Sequence, residues 1–195
     1  MIAIRGFSSR LAQHMLAFLP PWELAIPVER GACNTTAERH LFCQGVMTPE
    51  PIGRQSRAEI ADSFEANFSM VARQCDLILA TNDHARICVI GSESGYSWSF
   101  DGAYAAAKAA VHRYVETKRL RTPEQQLVCV APGIIGDTGM TLRRQDKDNL
   151  ARREAAHPKR RFLTCSEVCR MIEFLLYTDD GYTTGTVIRI HGGVS

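Results

Sequence analysis

Ile87-Cys88-Val89-Ile90-Gly91-Ser92-Glu93-Ser94-Gly95, followed soon by Tyr104-Ala105-Ala106-Ala107-Lys108, sets the terms on which the rest of this 195-residue chain is read. Four apolar residues broken off by Gly-Ser predict a strand covered on both faces that stops where polar atoms begin. A tyrosine and a lysine four apart on a helix share one face, a single turn from each other. Free tyrosine titrates near pH 10, too high for proton transfer at neutrality, and a neighbouring ammonium favours the phenolate and lowers that value. Tyr104 can then give a proton to a carbonyl oxygen or take one from an alcohol. The Tyr-x-x-x-Lys spacing alone is common on ordinary helix surfaces. Its weight comes from Ser92, placed directly after a strand, whose hydroxyl can bond the same substrate oxygen.

Working outward, further short apolar runs lie at 2–5, 24–28, 40–43, 127–130 and 187–190. Between them, 57–80 and 103–120 carry apolar residues at helical spacing. Thr164 with Glu167 forms a capping box that opens a helix through Tyr177. Strands alternating with helices predict an α/β fold: a Rossmann-like, doubly wound parallel sheet in three layers, as a single domain over 1–195. Ligands of such sheets lie beyond the carboxyl ends of the strands, where strand order reverses.

With Val130-Ala131-Pro132-Gly133-Ile134-Ile135 after the next strand and Thr184-Gly185-Thr186-Val187 near the end, the chain resembles the short-chain dehydrogenase/reductase family from about residue 57 onward. The resemblance implies an NAD(P)-dependent oxidoreductase that exchanges a hydride between nicotinamide and a small carbonyl or alcohol substrate. It makes Tyr104 the general acid/base, Lys108 its modulator and a cofactor-ribose ligand, Ser92 the stabiliser of the substrate oxygen, and Asn67 the holder of a water relay. Ser94 is the runner-up to Ser92, which stands one residue nearer the tyrosine than is usual. Pro132, Gly133 and Ile135 match the turn that meets the nicotinamide, and Thr138 the pyrophosphate side.

The first third departs from the family. Its glycine turn, Gly-x-x-x-Gly-x-Gly, is here Gly6-Phe7-Ser8-Ser9-Arg10-Leu11-Ala12, so Gly6, Ser8, Ser9, Arg10 and Leu11 are the residues expected at the pyrophosphate. Gly45 ends the counterpart of the next loop motif. Residues 29–39 are too few for a complete crossover, so one edge strand and its helix are expected to be missing. NADP is expected in slight preference to NAD, because Arg10 and Arg30 can converge on a 2′-phosphate while Glu29 opposes it. The other reading of these three is exposed loop charge. A non-catalytic relative that uses the fold as a binding module is the alternative to an enzyme.

Lys plus Arg number 23 against 21 Asp plus Glu, and the basic residues are dispersed, which argues against a nucleic-acid partner. No apolar run approaches the roughly 18 residues of a membrane helix. The start turns polar too soon for a signal peptide. Seven cysteines without Cys-x-x-Cys pairing predict reduced thiols and a cytoplasmic protein. Cys165 and Cys169, one turn apart, read as packing rather than as metal ligands, and no metal site is expected. Small residues on the 103–120 helix predict a homodimer or homotetramer.

Overall fold

A computed structural model describes residues 1–97 and 99–194. In it the six apolar runs become six parallel strands in the order β2-β1-β3-β4-β5-β6: β1 (Ile2–Arg5), β2 (Ala25–Val28), β3 (Arg39–Phe42), β4 (Arg86–Ile90), β5 (Gln126–Pro132) and β6 (Thr186–Ile190). Because side chains alternate across a strand, one apolar run serves two cores. Ile2, Ile4, Cys88, Ile90, Val128 and Val130 meet one face, under α1 (Arg10–Met15) and α7 (Cys165–Glu173). Ile87, Val89, Leu127 and Cys129 meet the other. That second face is covered by α3 (Met70–Thr81), reached through α2 (Arg57–Phe64), and by α4 (Gly102–Thr117). Each fully buried Ile, Leu or Val contributes about 1.5–3 kcal/mol. Two short helices, α5 (Gly139–Leu142) and α6 (Lys147–Ala156), lie between β5 and α7.

The helix expected over 57–80 is interrupted. Glu65–Ser69 is a π-helical turn between α2 and α3, and Asn67 lies in it, buried. Its side chain donates to the carbonyl of Ser63 at 2.8 Å, competing for a backbone acceptor that a regular helix would fill. The capping box foreseen at Thr164 is present, with Glu167 bonded back to it, and a second one not foreseen opens α2, with Glu59 bonded back to Ser56. The helix foreseen through Tyr177 is α7 continued by a second π turn over Phe174–Thr178.

Residues 29–38 cross β1 without forming a helix, and only one strand lies beyond β1. Side chains hold this crossing. The buried Arg5 guanidinium donates to Gln74, to the Asn34 carbonyl at 3.3 Å and to Cys33 Sγ at 3.6 Å. It also lies over the Phe42 ring at 4.2 Å. Asn82 Nδ2 reaches the Ala37 carbonyl at 2.8 Å. The shortened end leaves β2 as the sheet edge, with Pro27 opposite Ile4. The chain moves outward from β1 to β2 and returns to β3, so strand order reverses between β1 and β3. That places the expected crevice between Gly6 and Gln44.

Candidate active site

At the end of β4 the chain turns through Gly91 and Ser92 into a short 3-10 turn, Glu93–Gly95. Ser92 Oγ accepts the Ser94 backbone N–H at 3.1 Å, and Gly91 N–H is held by the Val130 carbonyl at 2.7 Å. Opposite, α4 begins at the buried Asp101, whose Oδ1 accepts the Tyr104 N–H at 2.9 Å. The same carboxylate accepts Gln55 Nε2 at 2.9 Å and Thr48 N–H at 2.7 Å, which ties the helix start to the 46–55 loop. Asp101 thus fixes the backbone that carries the tyrosine. Sequence reasoning missed it, although an aspartate three residues before Tyr104 is an N-cap signal.

Tyr104 and Lys108 lie on one buried face of α4, as the spacing foretold. The Lys108 ammonium sits 5.7 Å from the Tyr104 ring centre and donates to the Ile90 carbonyl at 2.7 Å. Burial lowers it to about 8, still charged at neutral pH. The expected downward displacement of the phenol is overturned. Burial pushes Tyr104 above its ordinary range, the Ser92 hydroxyl opposes that rise, and the Asp101 charge adds to it. Water that would solvate a phenolate is excluded, while the ammonium turns to Ile90. Ser92 is the serine whose hydroxyl lies within hydrogen-bond reach of the phenol.

Asn67 accepts the Val46 N–H at 3.3 Å and donates to the Val46 carbonyl at 2.7 Å, so it pins the loop after β3 from the helix side. A Cβ on Gly45 would come within 3.2 Å of its Oδ1. At the end of β5, Pro132 is buried, and the next residue, Gly133, donates its N–H to the Ile190 carbonyl at 2.9 Å. Ile135 pairs in a bridge with Leu163, and its carbonyl accepts the Thr138 hydroxyl at 3.2 Å. Thr138 also caps α5.

The other half of the crevice is sparser. Gly6 has φ of +71°, and a Cβ there would meet Gln44 N at 2.6 Å, so only glycine fits the turn. Ser9 caps α1 by accepting the Ala12 N–H at 3.2 Å. Ser8, Arg10, Glu29 and Arg30 are exposed. Leu11 departs from expectation, because its side chain is buried in the core beneath α1 and α7 and is not turned to a ligand. Cys165 and Cys169 lie in the same core as free thiols. Sequence reasoning gave Gln44, just before Gly45, no role. Both polar atoms of its side-chain amide are buried without a partner beside the Gly6 turn. A tight glycine turn, an unpartnered amide and a buried ammonium around one crevice fit a dinucleotide.

A family model described as enoyl-(acyl carrier protein) reductase matches residues 41–195. The 3-oxoacyl-[acyl-carrier-protein] reductase MabA of Mycobacterium tuberculosis is 30% identical over 172 residues, 86% of this chain and 66% of that protein. The corresponding reductase FabG of Shigella flexneri is 29% identical over 77% of this chain and 63% of its own length. The chain therefore spans just under two thirds of these relatives. Among solved structures, a short-chain dehydrogenase/reductase from Brucella melitensis superposes with a TM-score of 0.84 at 17% identity, covering 100% of this chain and 96% of that one. ElxO with NADP bound superposes at 0.81, also at 17%, over 98% and 97%. Among the described residues no helix is long and apolar enough to cross a membrane. The sheet order, the Ser92, Tyr104 and Lys108 arrangement and a match running from β3 to the last residue agree: the chain belongs to the short-chain dehydrogenase/reductase family.

Proposed function

We propose that the chain is an NAD(P)-dependent oxidoreductase that exchanges a hydride between nicotinamide and a carbonyl or alcohol. The observation that carries this reading is the buried Tyr104 phenol beside the Ser92 hydroxyl, with the Lys108 ammonium 5.7 Å from its ring centre. Nicotinamide, when bound, supplies or accepts the hydride. Ser92 orients the substrate oxygen, and Tyr104 gives it a proton in reduction or removes one in oxidation. Lys108 has donors to spare beyond Ile90, available to a ribose hydroxyl. The fragment Gly6, Ser8, Ser9, Arg10 and Gln44 would hold the pyrophosphate and adenosine, Asn67 and Gly45 shape the crevice, and Pro132, Gly133, Ile135 and Thr138 flank the nicotinamide. Leu11 supports the turn by packing.

NADPH is the cofactor we favour over NADH, on the exposed Arg10 and Arg30 at neighbouring strand ends, each free to meet a 2′-phosphate. The names of the relatives make a 3-oxoacyl thioester the first carbonyl to test. Five buried and two half-buried free thiols support a reducing compartment, which we take to be the cytoplasm. The small outer residues of α4, among them Ala106, with the half-exposed Leu77 on α3, support pairing of these helices with a second copy in a homodimer or homotetramer. The open glycine turn favours one rival, a binding module without turnover.

The test combines titration of NADPH and NADH, followed by cofactor fluorescence, with assay of 3-oxoacyl thioester and simple ketone reduction. Micromolar NADPH binding with turnover is expected. Binding without turnover on a broad carbonyl panel favours the module, and no binding of either cofactor overturns the proposal.

A further inference from the structure

His112 continues the face that carries Tyr104 and Lys108, one turn further along α4, and it is buried. Its Nε2 accepts the backbone N–H of Ser92 at 3.2 Å. An imidazole that accepts there carries its proton on Nδ1, which is buried without a partner. The ring is slotted between two glycines. A Cβ on Gly91 would lie 2.4 Å from His112 Nε2, and one on Gly95 would lie 2.6 Å from Cε1. Tyr96 stacks on the ring at 4.8 Å between centroids and 24° between planes. Arg189 lies over the Tyr96 ring at 4.5 Å and grips Glu93 through two bonds of 2.9 and 2.7 Å. Gly91, Ser92, Gly95 and Tyr96 thus all meet one ring.

We propose that His112 is a positioning residue: by accepting the Ser92 N–H between Gly91 and Gly95 it holds the Ser92 hydroxyl in register with Tyr104 and the substrate oxygen. This rests on reading the site as a hydride-transfer centre. Three groups bear on its charge, Lys108 on its own helix, and Glu93 and Arg189 from the turn and β6. Burial first, then Lys108, hold the ring near 4, so it remains an acceptor across the neutral range. An apolar side chain fills the slot but leaves the Ser92 N–H free to reorient. A glutamine carries an acceptor at comparable reach.

The test compares His112→Leu with His112→Gln in the full chain. His112→Leu is expected to lower kcat by about tenfold to a hundredfold, with NADPH affinity and substrate KM within a factor of about two. His112→Gln is expected to regain most of the loss. Independently of turnover, hydrogen exchange at the Ser92 amide is expected to be slow in wild type, fast in His112→Leu and slow again in His112→Gln, with the β4 amides unchanged. Unaltered kcat or unaltered Ser92 exchange in His112→Leu overturns the inference. So does a general loss of protection that glutamine fails to rescue, which marks a packing role only. Absence of turnover in wild type, with the exchange pattern as expected, counts against the hydride-transfer reading and leaves the placement of the turn standing.

Discussion

The two ends of the crevice are built differently. Around Ser92, Tyr104 and Lys108 buried side chains tie the backbone segments together, by Asp101 to the 46–55 loop, by His112 to the Ser92 turn and by Lys108 to Ile90. Around Gly6 to Leu11 the ties are local, through the Ser9 cap, the Gly6 turn and Gln13 Nε2 donating to the Phe7 carbonyl at 2.6 Å, and the charged side chains of Arg10 and Arg30 lie in solvent. In the proposed reaction, preorganisation is concentrated where charge would develop on a substrate oxygen. The adenosine end relies on contacts that a ligand would complete.

The largest effect that can break this contrast is at Tyr104. Tyr104→Phe removes one hydroxyl used in the transition state and is expected to lower the rate about a hundredfold to ten-thousandfold. Melting temperature and cofactor affinity should remain near wild type. Retained activity on any reduced substrate would dissolve the distinction between a reacting end and a gripping end.

Acid is the next probe. Burial holds His112 near 4 and His40 near 3, whereas both titrate near 6.5 in the unfolded chain. Between those values the unfolded state binds more protons, so stability falls as pH drops from 6.5 toward 4. At about 1.4 kcal/mol per unit the two rings together put several kcal/mol at stake. Urea unfolding at pH 7 and pH 4.5 reads the loss, and His112→Gln should flatten the slope. An unchanged slope would show that the reaction end is not where protonation enters.

A smaller loss, about 1–3 kcal/mol, is expected for Asp101→Ala, which strips the α4 cap and frees Gln55 and Thr48 at once. Protease cleavage within 46–55 should rise in step. Smallest of all, Arg10→Ala is expected to weaken NADPH by about tenfold or less while leaving NADH alone. Equal weakening of both cofactors would show that Arg10 serves the pyrophosphate or the fold rather than the 2′-phosphate.

The strands were legible because apolar β-branched runs bounded by glycine and polar residues leave little choice of state, and all six fell within two residues of expectation. Tyr104, Lys108 and Ser92 were legible because their spacing is local to one strand and one helix. What escaped depends on partners distant in the chain. His112 acquires meaning only through the backbone of Ser92, Gln44 through the turn at Gly6, and Arg5 through Gln74 and Cys33. The π turn at Asn67 escaped for a related reason. It coincides with a single amide that reaches back to Ser63, whereas helical periodicity averages over many residues. The phenol's upward displacement was hidden too, since burial of Tyr104 is set by the whole fold.

A parallel sheet that ends early leaves a row of unpaired amides, which invites another chain to add a strand. Ile2 N–H bonds to the Leu24 carbonyl, so along β2 the residues that look inward are Leu24, Ile26 and Val28, and those that look outward are Ala25 and Pro27. Proline stands on the outward side, where it has no hydrogen to offer and breaks no ladder bond. The shortened sheet thereby closes its own growing end: a fibril or a strand-swapped dimer would find one donor missing in mid-strand. Pro27→Thr would restore that donor, and turbidity of concentrated, warmed protein should rise with it.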